Sequence, residues 1–245
     1  MEDKALLSTE EDSGAEKAEL LIVIPAYNEA ENIERVVNHL TANFPQYDYV
    51  VVNDGSRDET AAICQRNGYN LLNLPVNLGL AGAFQAGLKY ADKYGYQYAV
   101  QLDGDGQHRP EYLEPMIKKM EEGYDIVIGS RFVGEKKPFT MRMLGSNLIE
   151  MAIRFTTGVN IKDPTSGMRM FSKRMIREFA SGLNYGPEPD TVSYLIRQGA
   201  RVAEVPVIMD ERILGVSYLT PVNAMRYMLK MLISILLIQN FRKRR

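Results

Sequence analysis

Two aspartates separated by one glycine, Asp103 and Asp105, form the part of this sequence with the clearest capacity for chemistry. They follow an apolar run that is typical of a buried strand, and Gln107 adds a neutral oxygen two residues further on. Two carboxylates at a strand end can face one hard cation, because Mg²⁺ and Mn²⁺ prefer oxygen ligands and are usually shared with substrate phosphates. The ordinary alternative is an acidic turn, since Asp and Gly are common turn residues.

Other polar side chains follow the neighbouring predicted strands. Tyr27 and Glu29 come after the first strand, Asp54 after the second and Arg131 after the fifth. Ligands of parallel α/β sheets bind outside the carboxyl ends of the strands. Any one of these side chains alone is more often a structural turn residue, but together they predict a binding site at one rim of the sheet.

The strands and helices that must position these residues can be predicted from the sequence, because apolar runs alternate with segments of helical periodicity. Ile33, Val36, Val37 and Leu40, for example, fall on one face of a helix. This alternation of strands and helices predicts an α/β protein with a mostly parallel sheet. The predicted strands are Leu20–Pro25, Tyr49–Val52, Asn70–Leu74, Tyr98–Leu102 and Asp125–Gly129, followed in the second half by the strand-like Met168–Phe171 and by Glu204–Val207.

Composition limits the class of protein. The 245 residues carry a formal net charge of −2, which argues against nucleic acid as a partner. The charge is uneven, because residues 1–19 contain seven acids and are predicted to be disordered, whereas residues 242–245 are all basic. The single cysteine, Cys64, excludes an internal disulfide and indicates a reducing compartment. With only two histidines, a histidine-rich zinc site is disfavoured.

A set of motifs resembles the family 2 inverting glycosyltransferases of the GT-A fold. Among these the similarity is greatest to the polyprenyl-phosphate sugar transferases, whose best-known member is dolichyl-phosphate mannose synthase. The resemblance covers residues 20–220 in the family's order. The segments that carry it are Ile24–Glu29, Val52–Ser56, Asn77–Ala83, Leu102–Gln107, Gly129–Arg131, Asp163–Arg169 and Glu204–Val207.

The resemblance implies a Rossmann-like GT-A domain over residues 20–220 and a divalent cofactor, Mg²⁺ or Mn²⁺. In the family, the Asp-X-Asp-X-Gln segment holds the cation, which here corresponds to Asp103, Asp105 and Gln107. The segments after the first two strands hold the nucleotide of a UDP- or GDP-sugar. The nucleotide-binding residues predicted in this way are Pro25, Tyr27, Glu29, Asp54, Asp103 and Gly104.

Segments of the second half border the acceptor site in relatives. The acceptor-binding residues predicted here are Arg131, Ser166, Arg169 and Arg212. Catalytic roles are predicted for Asp105, Arg131 and Asp190, although Asp190 is equally suited to capping the helix that it begins. One departure from the family pattern is Tyr218, which stands where a lysine is usual.

Two later segments have the periodicity of amphipathic helices. Residues 141–157 fit either a core helix or a helix at a membrane surface. Residues 221–239 are apolar apart from a thin polar stripe that includes Arg226 and Lys230, which leaves too short an apolar length for a membrane-spanning helix. We therefore predict that residues 221–245 form an added amphipathic helix with a basic tail, lying on a membrane or against another subunit of a homo-oligomer.

The nature of the acceptor decides the mechanism. A sugar hydroxyl needs a carboxylate base, for which Glu188 and Asp190 are candidates. A lipid phosphate is already an anion and instead needs cations to hold it. The apolar helices and the family match favour metal-dependent inverting transfer to a polyprenyl phosphate by a peripheral protein at the cytoplasmic membrane face. The alternative acceptor is a sugar hydroxyl on a lipid-linked, capsular or cell-wall polysaccharide.

Overall fold

A computed structural model of the chain describes residues 19–135, 137–138, 140–181, 186, 188–210 and 221–241. The predictions for the acidic residues 1–18, for Arg212 and for the basic residues 242–245 fall outside these described residues. The described part of the chain contains the seven-stranded sheet and the helices that cover both of its faces.

The strands form one sheet in the order β3-β2-β1-β4-β6-β5-β7. The first strand lies near the middle of the sheet and all of its residues are buried, as its continuous apolar run predicts. All seven strands were predicted from the sequence, with ends within two residues of those observed. The strands are β1 (Leu20–Ala26), β2 (Asp48–Asp54), β3 (Leu71–Leu74), β4 (Tyr98–Gln101), β5 (Ile126–Ser130), β6 (Arg169–Ser172) and β7 (Val202–Pro206).

Most neighbouring strands are parallel, which confirms the predicted α/β class. The pairs β1–β2, β1–β4, β2–β3 and β5–β7 are all parallel. β6 is inserted between β4 and β5 and runs antiparallel to both. The orientation of β6 brings its first residue, Arg169, to the same sheet edge at which β4 and β5 end.

Helices cover the two faces of the sheet and produce two apolar cores. One face carries α3, α5, α6, α7 and α8, with Phe171 of β6 packed between Phe84 and Phe179 at ring-centroid distances of 5.6 and 5.3 Å. The other face carries α1, α2 with the buried Cys64, and α4. The helices are α1 (Ile33–Asn43), α2 (Thr60–Arg66), α3 (Gly79–Lys93), α4 (Leu113–Glu121), α5 (Met141–Thr157), α6 (Lys173–Ser181), α7 (Pro189–Arg197) and α8 (Pro221–Leu236).

The last helix, α8, packs against α5 and α7. Met231 and Ile235 bury its inner side in the core, and Gly145 of α5 permits close contact because a Cβ there would lie 2.8 Å from Met228 Cγ. Both helices leave an exposed apolar stripe on the outside. We call this surface the outer apolar face; its members are Leu144, Leu148, Met151 and Phe155 of α5 and Met225, Leu229, Ile233 and Leu236 of α8.

Neither helix meets the requirements for crossing a bilayer. Within the described ranges, no helix combines sufficient length with sufficient apolar character to span a membrane. Both α5 and α8 have buried residues on one side and exposed apolar residues on the other.

Candidate active site

A cleft of about 720 Å³ lies at the carboxyl ends of β1, β2, β4 and β5. The predicted rim residues converge on it, as expected for a parallel sheet. Asp190 does not line the cleft, and Arg212 lies outside the described residues. The predicted site residues that do line it are Pro25, Tyr27, Glu29, Asp54, Asp103, Gly104, Asp105, Gln107, Arg131, Ser166 and Arg169.

The loop after β1 is held in place by the loop after β2. Asn28 has a φ of 55°, its N–H donates to Ser56 Oγ at 3.0 Å, and its Oδ1 accepts from Arg57 N–H at 2.8 Å. Asn is one of the few residue types that tolerate this left-handed conformation. The resulting turn directs the flanking residues Tyr27 and Glu29 into the cleft.

Asp54 forms a buried part of the cleft beneath the glycine-rich start of α3. Its Oδ1 accepts a hydrogen bond of 2.7 Å from Leu78 N–H, and its backbone carbonyl accepts from Asn77 Nδ2 at 3.1 Å. The next residue, Gly55, has a φ of 63°, and a Cβ there would lie 2.7 Å from Asn77 N. Only glycine allows this approach, so the loops after β2 and β3 form one surface.

The acidic loop after β4 is braced by a histidine that the sequence reasoning did not assign to the site. Asp103 N–H donates to His108 Nδ1 at 3.0 Å, and Asp103 Oδ1 accepts from Gln101 Nε2 at 2.8 Å. Because Nδ1 is the acceptor, the imidazole proton belongs on Nε2, which lies 3.7 Å from Asp103 Oδ2. The closeness of the two residues in sequence could have indicated this role, since His108 follows Asp103 by five residues in the same loop.

The second acid, Asp105, is positioned through the backbone of its own loop. Its Oδ1 accepts from Gln107 N–H at 3.0 Å, and its carbonyl accepts from Arg35 Nη2 at 3.1 Å. Asp210 N–H in turn donates to the Gln107 carbonyl at 3.0 Å, which ties the loop to the segment after β7. The two carboxylates therefore sit on one loop that is fixed from two sides.

This loop fits a hard divalent cation. Its donors are carboxylate and amide oxygens, the kind that Mg²⁺ and Mn²⁺ prefer. Space is kept around them by glycines, because a Cβ on Gly167 would lie 3.2 Å from Asp103 Oδ2 and one on Gly104 would lie 3.1 Å from the Pro25 carbonyl oxygen. No group of three or more acidic, His or Cys side chains within the described residues can hold a metal. A substrate that contributes phosphate oxygens would complete such a site.

Two arginines provide positive charge to the cleft. Arg131 forms a forked pair with the buried Asp163, in which Nε donates to Oδ2 at 2.7 Å and Nη2 donates to Oδ1 at 2.8 Å. Arg169 is only 2% exposed, and its Nε and Nη2 donate to the carbonyls of Ser166 and Pro164 at 2.8 and 2.6 Å. Its Nη1 has no hydrogen-bond partner among the described residues. Burial lowers the pKa of this guanidinium.

Ser166 is part of the same wall, but its hydroxyl is already used. Ser166 Oγ donates to the Gly129 carbonyl at 2.5 Å, and the residue is buried. This bond ties the turn before β6 to the end of β5, so Ser166 positions the carbonyl that Arg169 contacts.

Of the two acids near the start of α7, Glu188 lines the cleft and Asp190 does not. Asp190 is 8% exposed and its Oδ2 accepts from Ser234 Oγ of α8 at 2.6 Å. Burial, and then the neighbouring Asp190 carboxylate, raise the pKa of Glu188, while Lys230 and Arg169 oppose the rise. Glu188 is therefore the acid of this pair that can meet a bound molecule.

Known proteins share both the sequence pattern and the fold. The family model described as "Glycosyl transferase family 2" matches residues 21–179. A polyprenol monophosphomannose synthase of Mycolicibacterium smegmatis is 32% identical over 223 residues, which cover 86% of this chain and 84% of that protein. An undecaprenyl-phosphate mannosyltransferase of Micrococcus luteus is 31% identical over 210 residues, which cover 81% of this chain and 86% of that protein.

A solved structure extends the comparison to the architecture. The glucosyl-3-phosphoglycerate synthase from Mycobacterium tuberculosis, in complex with Mn²⁺, uridine diphosphate and phosphoglyceric acid, superposes with a TM-score of 0.66. It is 19% identical, and the match covers 92% of this chain and 79% of that one. At this level of identity the likeness concerns the fold alone, and it confirms the predicted GT-A architecture.

Proposed function

The chain belongs to glycosyl transferase family 2, and from this membership we propose that it transfers one sugar, with inversion, from a nucleotide-diphosphate sugar to a polyprenyl phosphate. The observation that carries the proposal is that the cleft has an acidic loop on one side and a cationic wall on the other. The wall contains the buried Arg169, whose Nη1 has no hydrogen-bond partner among the described residues. An anionic acceptor suits that wall, since a buried donor without a partner is costly. The names of the two curated relatives point to the same class of acceptor.

The donor is assigned to the end of the cleft formed by β1, β2 and β4. The nucleotide would contact Pro25, Tyr27, Glu29 and Asp54, with Asp103 and Gly104 at its phosphates. Asp103, Asp105 and Gln107 would hold Mg²⁺ or Mn²⁺, whose chemistry is to stabilise the negative charge that develops on the leaving diphosphate. For this role His108 holds the Asp103 backbone N–H and Gln101 holds the Asp103 carboxylate.

The acceptor phosphate is assigned to the arginine wall. Arg131 and Arg169 would orient the phosphate by charge-assisted hydrogen bonds, beside Ser166, with Arg212 as a further predicted contact. A phosphate oxygen attacks the anomeric carbon as the bond to the nucleotide diphosphate breaks on the opposite side, which inverts the configuration. Because this oxygen is already an anion, the step needs no base, and the predicted catalytic role of Asp190 is not required for it.

The outer apolar face is assigned to a membrane surface. It lies on α5 and α8, and α8 also adjoins the cleft, since Tyr227 and Met228 are cleft residues. A lipid acceptor bound at the arginine wall would leave its chain beside this face, and amphipathic helices bind at the interface in proportion to their apolar area. We propose peripheral attachment at the cytoplasmic membrane face; a homo-oligomer that buries the same face is the competing arrangement.

The proposed function is tested by transfer to undecaprenyl phosphate in detergent with Mn²⁺ or Mg²⁺. The donor panel is labelled GDP-mannose, UDP-glucose and UDP-N-acetylglucosamine. We expect a labelled, organic-soluble product that disappears with EDTA, and the reactive donor identifies the sugar. Donor binding or slow donor hydrolysis without any lipid product, across all three donors, contradicts the proposal.

Glu188 favours a second candidate, in which a sugar hydroxyl is the acceptor. As a cleft acid with a raised pKa it is suited to act as a general base, which must be deprotonated to work. If Glu188 is the base, the rate of transfer falls as the pH drops through the raised pKa of Glu188. The Glu188→Gln variant then loses most of its activity, and its remaining rate no longer falls at low pH. If a phosphate is the acceptor, Glu188→Gln retains transfer. A pH–rate profile of wild type and variant separates the two.

We predict that His108→Ala lowers the rate of transfer by about tenfold, the lower end of the effect of outer-shell partners of metal ligands. The substitution removes the acceptor of the Asp103 N–H, so the acidic loop loses its brace without losing a predicted ligand. The readouts are kcat and the Mn²⁺ concentration for half-maximal activity, which we expect to rise. His39→Ala is the control, since His39 is exposed on α1, away from the cleft. Unchanged Mn²⁺ dependence in His108→Ala contradicts the proposed brace.

A further inference from the structure

The first turn of α7 is held by side chains from the C-terminal part of the chain. Ser234 Oγ donates to Asp190 Oδ2 at 2.6 Å, and the Gln239 side-chain amide donates to the Asp190 backbone carbonyl. The other carboxylate oxygen, Oδ1, accepts from Thr191 N–H at 2.8 Å. Asp190, Ser234 and Gln239 are all buried. Buried carboxylates need such donors, so this contact is a specific junction between α7 and α8.

The junction adjoins the acceptor end of the cleft from both sides. Glu188, two residues before Asp190, is the N-cap residue of α7 and lines the cleft. Tyr227 also lines the cleft and lies seven residues before Ser234, so the two side chains share one face of α8. Burial and the Glu188 carboxylate raise the pKa of Tyr227, which keeps its hydroxyl protonated beside Arg169. The α8 face that binds Asp190 therefore also forms part of the cleft wall.

We propose that the Ser234–Asp190 hydrogen bond positions the acceptor site by fixing Glu188 and Tyr227 at the cleft. In this role Asp190 is a positioning residue that acts through Glu188 and Tyr227. Helix α8 then helps to form the acceptor site in addition to presenting the outer apolar face. The inference rests on the proposed function and adds a specific contact to it. The donor end is built by the loops after β1, β2 and β4, so loosening the junction affects acceptor binding selectively.

The test uses the full chain with Ser234→Ala, the conservative Ser234→Thr, and Ser193→Ala as a matched control. Ser193 is buried like Ser234, but it lies on α7 and its hydroxyl is 3.4 Å from Thr156 Oγ1 of α5. We measure KM for undecaprenyl phosphate and KM for the nucleotide sugar in detergent. Ser234→Ala is expected to raise the acceptor KM about tenfold, equivalent to ~1.4 kcal/mol, without changing the donor KM. Ser234→Thr, which keeps the hydroxyl, and Ser193→Ala are expected to resemble wild type.

A second variant tests the same contact independently, in case Ser234→Ala does not fold. Gln239→Met removes the other donor to the same turn and is expected to raise the acceptor KM about threefold, since a neutral hydrogen bond is worth less than one to a charged group. An unchanged acceptor KM in both Ser234→Ala and Gln239→Met overturns the proposal. Equal changes in donor and acceptor KM, or the same change in Ser193→Ala, also overturn it by indicating general loosening.

Failure of the proposed function leaves the junction testable. If wild type transfers no sugar to undecaprenyl phosphate, amide hydrogen exchange of residues 188–197 provides the readout. Exchange in this segment is expected to be faster in Ser234→Ala than in Ser193→Ala or wild type, because the first turn of α7 loses the hydrogen bond from Ser234. Equal exchange in the three proteins overturns the positioning role.

Discussion

Asp105→Asn is expected to lower sugar transfer about a thousandfold while the protein remains folded. The substitution keeps the shape of the side chain but removes a predicted carboxylate ligand, so the charge on the leaving diphosphate is no longer neutralised. Stabilisation of that charge by a cation is worth several kcal/mol, so kcat/KM is expected to fall about a thousandfold. Transfer of labelled sugar to undecaprenyl phosphate measures the loss, and Mn²⁺ titration by calorimetry in the presence of donor measures binding independently.

Glu111→Gln provides the matched control for this variant. Glu111 is an exposed acid shortly after the same loop, and it is not a cleft residue. The same acid-to-amide change is expected to leave both activity and Mn²⁺ binding unaltered there. Normal turnover by Asp105→Asn, with an unchanged thermal midpoint, removes Asp105 from the predicted metal site.

Arg169→Lys is expected to raise the KM for the acceptor about a hundredfold with little effect on donor binding. The guanidinium donates to two carbonyls, and its Nη1 has no partner in the part of the chain that the structure describes, whereas one ammonium group cannot reproduce that forked geometry. The hundredfold figure corresponds to loss of a charge-assisted hydrogen bond of about 1.5–3 kcal/mol. The measurement is steady-state kinetics with undecaprenyl phosphate varied at saturating donor, together with donor binding by calorimetry.

The control for this prediction is Arg177→Lys on α6. Arg177 is largely exposed and its Nε approaches Asp92 Oδ1 at 4.0 Å, so the same exchange of cations is expected to be neutral. Because Arg169 is buried, the thermal midpoint of Arg169→Lys is recorded alongside the kinetics. A folded Arg169→Lys protein with the wild-type acceptor KM excludes Arg169 from the acceptor site.

The two arginines of the cleft differ in what holds them. Arg131 is oriented by the buried carboxylate of Asp163, whose own N–H donates to Glu204 Oε1 at 2.8 Å. Arg169 is oriented only by backbone carbonyls, which leave its charge uncompensated by a direct ion pair among the described residues. This difference favours Arg169 as the group that gains most from an incoming anion, since an unpaired buried charge is costly.

Sequence alone determined the α/β class, the positions of the seven strands and the rim on which the polar residues meet. These features follow from local rules: apolar runs form buried strands, and parallel strands present their carboxyl ends at one edge. Pro25, Glu29, Asp54 and Asp103 reach one cleft for that reason. Their assignment to nucleotide and metal still comes from family resemblance and remains a prediction.

Tertiary structure decided the features that depend on contacts distant in sequence. The antiparallel insertion of β6, the burial of Arg169 and the brace between His108 and Asp103 are not encoded in any periodicity. The clearest case is Asp190, for which sequence left catalysis and helix capping open. The structure shows that its carboxylate accepts a hydrogen bond from Ser234, 44 residues away on α8, and its catalytic role remains a prediction. Local patterns specify which face of an element is apolar, but which buried donor meets which acceptor is settled only when the elements pack.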